Sequence, residues 1–130
     1  MINTFSSFNL YTMFLTLSHT KLDVYLCARK MVLECYRLAK RLPEDERFAL
    51  AQQIKRASTS VSLNIAEGCS RKSSTERKRF FEIARGSVIE IDSILDTFFD
   101  LAYFTMEEMA PTGELLNRNF SMLSSMLKKS

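Results

Sequence analysis

One ladder of apolar residues limits what this chain can fold into more than any other feature. Phe81, Ala84, Val88, Ile91, Leu95, Phe98 and Ala102 alternate steps of three and four without a break. That spacing keeps all seven on one side of an α-helix about six turns long. It is also the spacing by which side chains of one helix seat between those of its neighbours in a bundle. A single helix cannot bury such a stripe alone, so partner helices are required. Composition agrees: 130 residues contain only three glycines and two prolines. So few turn formers leave little room for hairpin-rich β structure and favour long uninterrupted helices.

Three partners can be read. From Leu22 onward, Val24, Cys27, Met31, Cys35, Leu38 and Leu42 follow at three- and four-residue spacing. Leu26, Val32, Leu33, Tyr36 and Ala39 widen this stripe, so the first helix has apolar residues over much of its circumference and is expected to have two sets of neighbours, a sign of self-association. Pro43 breaks the pattern. Glu44, Asp45 and Glu46 then place negative charge where a second helix begins, favourably for its dipole. That helix carries Leu50, Ile54, Ala57, Val61 and Ile65 and is expected to stop at Gly68, as a C′ residue. Ser58, Thr59, Ser60 and Ser62 are small enough to let a neighbour approach closely. Ser73 with Glu76 forms a capping box for the third helix, and Thr105 with Glu108 another for the fourth. Because Pro111 and Gly113 follow, the fourth start is bounded only between Met106 and Glu114. Its stripe is Leu116, Phe120, Leu123 and Leu127. The expected fold is all-α: an antiparallel up-down-up-down four-helix bundle of one domain, residues 21–130.

Residues 1–20 are expected to be a loosely docked extension or the product of a start codon assigned too early, with Met13 as an alternative start. The run from Phe8 to Leu17 is too short to span a bilayer and lacks the basic flank of a signal peptide, so no membrane partner is expected. Cys27, Cys35 and Cys69 have neither disulfide-scaffold nor zinc-site spacing, and a reducing, cytoplasmic setting follows.

The chemical inventory is short. His19 is the only histidine, which removes serine or cysteine triads and His-containing metal sites within the bundle. No glycine-rich phosphate loop is present. No enzyme activity, metal or cofactor is expected. Two polar groups stand out. Gln53, Arg56, Ser60, Asn64 and Glu67 share one stripe of the second helix, facing Arg85, Ser87 and Glu90 on the third. They form either a register-fixing hydrogen-bond network or a groove for a ligand or partner chain. The second group is Arg71, Lys72, Arg77, Lys78 and Arg79, at and beyond the second helix's end. Cations at a helix N-terminus oppose its dipole, so local stability does not explain them. Phosphate contact would, although such clusters are also common on solvated surfaces. The net charge of +3 divides unevenly, +7 over residues 1–86 and −4 over residues 87–130. This asymmetry suits a polyanion partner or head-to-tail pairing of subunits.

The run QIKRASTSVSLNIAEGCSR (Gln53 to Arg71) followed by FFEIARGSVIEIDSIL (Phe80 to Leu95) resembles the four-helix-bundle family of ribosomal RNA intervening-sequence proteins. The resemblance rests on Gln53, Ile54, Arg56 and Ala57, on Asn64 to Gly68, and on Ala84, Gly86, Ser87 and Glu90. It implies a small antiparallel bundle assembled as a homo-oligomeric ring, often a pentamer. The accessory variability proteins of diversity-generating retroelements are similar in fold and bind nucleic acid and a reverse transcriptase through a basic surface. The Asn-Ile-Ala-Glu-Gly run fits the intervening-sequence branch better. Together these readings imply a ring-forming protein that contacts RNA or DNA through Arg71, Lys72, Arg77, Lys78 and Arg79. The alternative is a protein scaffold or an accessory subunit of a reverse transcriptase.

Overall fold

A computed structural model describes residues 14–129. Four helices follow one another: α1 (Asp23–Lys40), α2 (Leu50–Ser70), α3 (Ser74–Asp100) and α4 (Met106–Lys129), with a single 3₁₀ turn at Glu44–Glu46. Each helix packs against its sequence neighbour and α4 closes back on α1, leaving α1 and α3 on one diagonal and α2 and α4 on the other. Short connections between long helices make successive helices antiparallel. The expected four-helix arrangement is therefore present, with no strand among the described residues. Val24, Met31, Cys35 and Leu38 meet Ile54, Val61 and Ile65, then Phe81, Val88, Ile91 and Phe98, then Leu116 and Leu123 in one core. Fully burying side chains of this kind stabilises the fold by about 1.5–3 kcal/mol each.

Several boundaries differ from the sequence expectation, each for a physical reason. Glu44, Asp45 and Glu46 do not open α2; they form a separate turn whose C-cap, Arg47, bonds back to Glu44 O. Glu46 is anchored, its carboxylate accepting the Tyr103 hydroxyl at 2.7 Å, and α2 begins four residues later at Leu50. Gly68 does not end α2, which continues to Ser70, and no glycine has positive φ. Its role is close approach: a Cβ there would lie 2.6 Å from Phe81 Cε1 and 2.9 Å from Cδ1. Only glycine lets α2 and α3 close so tightly beside their hairpin.

Ala102 is not on the α3 core stripe. The helix ends at Asp100, and Ala102 takes the left-handed conformation, φ 61°. The Ala102 N–H bonds Phe99 O and the Tyr103 N–H bonds Phe98 O, both at 2.9 Å, the Schellman pattern with alanine where glycine is usual. The reversal turns Phe104 into the core in its place, 5.4 Å from the Phe98 ring. Both capping boxes form. Ser73 Oγ accepts from the Glu76 N–H at 3.0 Å. Thr105 Oγ1 accepts from the Glu108 N–H at 3.1 Å while Glu108 Oε1 accepts from the Thr105 N–H at 2.8 Å. That second box starts α4 at Met106, and the helix runs through Pro111. The proline removes one backbone donor but does not interrupt the helix.

The sequence reading missed a buried polar seam between α1 and α4. Asn119 is fully buried and donates from Nδ2 to Val24 O at 3.0 Å. The nearby Cys27 thiol lies 3.6 Å from Leu115 O. Asn119 sits within an otherwise apolar stripe, the only hint in the sequence. Residues 1–13 of the expected extension lie outside the described residues. Its later part makes contacts: Ser18 Oγ donates to Cys69 O at 3.2 Å, and Thr20 is buried.

Candidate nucleic-acid interface

The α2–α3 hairpin sets the geometry of one end of the bundle. The five cations singled out in the sequence gather there, but they divide in two. Arg77 turns inward to the loop, donating from Nη1 to Arg71 O at 3.0 Å and Lys72 O at 2.7 Å. Arg71 pairs with Glu67 at 2.6 Å, one turn back on α2. Both therefore have structural work, since α2 leaves carbonyls unpaired at its end. Lys72, Lys78 and Arg79 are exposed. Arg71 and Arg79 both lie against the Phe80 ring, 5.0 and 5.9 Å from its centroid, which holds two guanidinium groups on one aromatic.

The fold adds Lys128 and Lys129, which the sequence reading did not join to this cluster, and Arg85 shows how. The Arg85 Nε donates to Ser124 Oγ at 2.8 Å and its guanidinium stacks 4.4 Å above Phe120, which fixes the antiparallel register of α3 and α4. Continuing that register brings the exposed Lys128 and Lys129 at the end of α4 to the level of Phe80. The same end thus carries Lys72, Lys78, Arg79, Lys128 and Lys129. The opposite end holds Glu44, Asp45, Glu46, Asp100, Glu107 and Glu108, against Lys40, Arg41 and Arg47. There the Glu108 carboxyl is held below its usual range, first by the Thr105 N–H and then by the Arg41 guanidinium. Both signs occur at each end, but cations are in excess at the hairpin end and carboxylates at the other.

The polar stripe of α2 is also split by the structure. Ser60 is its hub: Ser60 Oγ and O accept from Asn64 Nδ2 at 3.0 and 2.8 Å, and Ser87 Oγ donates to Ser60 Oγ at 2.9 Å. This hydroxyl contact joins α2 to α3. Arg85 and Glu67 find partners elsewhere, Arg85 at Ser124 on α4 and Glu67 at Arg71 in the hairpin. Gln53, Arg56 and Glu90 line an open groove of about 550 Å³ above the hub, with Leu63 and Asn64. On the far side of α3 a second groove, about 620 Å³, places Asp92, Asp96, Asp100 and Glu107 around Leu95, Phe99, Met106 and Met109.

The conserved profile of the 23S rRNA-intervening sequence proteins matches residues 20–125. The chain belongs to that family. The match begins at Thr20, the first residue of the described chain to be buried, and covers the first three helices and α4 as far as Ser125. A comparison with curated proteins finds no match. At the α2–α3 hairpin three residues within the matched stretch have structural roles. Asn64 anchors the Ser60 hub, Glu67 fixes Arg71, and Gly68 admits Phe81. Among the described residues no group of three or more His, Cys, Asp or Glu side chains is placed to hold a metal ion. No described helix is long and apolar enough to cross a membrane.

Proposed function

We propose that this member of the 23S rRNA-intervening sequence protein family is a non-enzymatic bundle that self-associates and binds RNA or DNA through its basic end. The observation that carries the reading is the convergence of Lys72, Lys78 and Arg79 with Lys128 and Lys129 from the other terminus of the domain. None of these five is needed for the packing of the core. Exposed cations grouped on one end, where they outnumber the carboxylates Asp23, Glu67 and Glu76, are what phosphate neutralisation uses, with little dependence on base sequence. Arg71 and Arg77 shape the loop that presents them. The assembly that goes with this reading is a homo-oligomeric ring, of five subunits as the family resemblance implies, in a reducing cytoplasm.

Titration with single-stranded and duplex RNA at two salt concentrations tests the reading. Five cations on a single strand give a slope of about −3.5 in log affinity against log salt, hence about a hundredfold loss between about 50 and 200 mM. Replacing all five by glutamine should abolish that dependence. Binding that is insensitive to salt, or unchanged in the variant, refutes it. The acidic groove between α3 and α4 favours a second reading, a scaffold for a protein partner such as a reverse transcriptase, because its four carboxylates repel a polyanion. A protein retained through affinity purification in nuclease-treated lysate, and lost on charge reversal of that groove, supports the second reading over the first.

A further inference from the structure

Gly86 has no internal explanation. Unlike Gly68, a Cβ built on it meets no atom within 4 Å, and the residue is exposed in the middle of α3. Glycine inside a helix weakens it relative to alanine, so this position gives up helix stability without a packing gain in the single chain. Its surroundings are those of an uncovered helix contact. Ile83 and Ile89, 44% and 52% exposed, flank it on the outer face of α3. Glu82 and Glu90 lie one turn to either side, in register at four-residue spacing and about 12 Å apart along the axis.

The diagonally opposite helix presents the complement. On the outer face of α1, Leu33 is 71% exposed. Lys30 precedes it by three residues and Arg37 follows by four, about 10 Å apart along the axis. Arg37 pairs with Glu34 on its own helix, and both side chains of that pair remain accessible. A knob between two cations on α1 thus matches a hollow between two carboxylates on α3.

Building on the self-association proposed above, we propose that the outer face of α3 around Gly86 is the docking surface for the outer face of α1 of a second copy. Leu33 enters the hollow at Gly86 between Ile83 and Ile89, while Lys30 and Arg37 meet Glu82 and Glu90. The missing Cβ lets the two helices approach closely, and the charges select the register. Because α1 and α3 occupy opposite corners of the bundle, one copy can give its α1 to one neighbour and its α3 to another. The contact is heterologous, so it propagates and closes into a ring when the rotation between copies permits.

The test uses two charge-reversed chains, Lys30→Glu with Arg37→Glu, and Glu82→Lys with Glu90→Lys, followed by sedimentation velocity and light scattering across a concentration series. Each alone should raise the dissociation constant of self-association by at least about tenfold. An equimolar mixture should recover association of the two chains with each other, since a reversed α1 face then meets a reversed α3 face, although a ring of five cannot alternate throughout and keeps one like-charged contact. Gly86→Leu should weaken assembly while the separated chain keeps its helical circular dichroism. Assembly unaffected by the reversals, or a mixture that does not recover, overturns the proposal and leaves self-association standing through another face. A wild-type chain that is monomeric throughout the series overturns both, and the RNA titration still decides the basic end independently.

Discussion

Gly68→Ala should destabilise the protein, and the structure fixes both the sign and its cause. The added Cβ would fall 2.6 Å from Phe81 Cε1, 2.9 Å from Cδ1 and 3.1 Å from Phe80 Cβ. Phe81 is only 3% exposed, so its ring has no solvent to swing into and the helices must separate instead. Overpacking of this kind costs about 1–3 kcal/mol. The gain in helix propensity from glycine to alanine offsets about 1 kcal/mol of it, leaving a net loss of about 1 kcal/mol, a fall in melting temperature of about 3–5 °C for a domain of this size. Chemical denaturation at fixed protein concentration measures it, because self-association would otherwise move the midpoint. The decisive comparison is the same substitution in a Phe81→Ala background. With the ring gone the propensity gain remains, and Gly68→Ala should there stabilise by up to about 1 kcal/mol. Stabilisation in the wild-type background, or the same effect in both, would refute the close-approach argument.

Two further outcomes follow from the other end of the bundle. Ala102→Gly should stabilise by about 1 kcal/mol, because φ 61° burdens alanine with left-handed strain that glycine lacks; a thermal melt reads this, and an unchanged or lowered midpoint counts against it. The lowered pKa of Glu108 makes its capping and pairing stabilise the native state above its ordinary value of 4.5, with loss as pH falls through the native value. Denaturation midpoints of wild type and Glu108→Gln should therefore differ at neutral pH and converge in acid; a gap that persists at pH about 3 contradicts the assignment.

Much of the architecture was legible in the residue pattern because helix stripes and caps are local. Val88, Ile91, Leu95 and Phe98 lie where their three-four spacing puts them, and both capping boxes form because Ser73 with Glu76, and Thr105 with Glu108, are three residues apart. The misreadings have a shared origin. Gly68 carries the ordinary signal of a helix end, and Ala102 continues the α3 period, yet both positions are decided by what comes near them in space. Pro111 has the local signature of a break, but the packing of Met109, Thr112 and Leu116 on the core holds α4 continuous. Asn119 gave little warning, since its partner, the Val24 carbonyl, is 95 residues away.

The candidate site shows the same division. Sequence alone located five cations beside a helix boundary and a polar stripe on α2, because these are matters of residue identity and period. It could not say that Arg77 would turn onto the loop carbonyls, or that Glu67 would take Arg71 rather than Arg85. Nor could it join Lys128 and Lys129 to Lys72, since nothing local links residues more than fifty positions apart. Antiparallel packing does that: it folds the two chain segments to the same end and sends the carboxylates of residues 96–108 to the other. Residue spacing determined that this chain is a helical bundle; which charges share a surface was decided only by the directions in which its helices run.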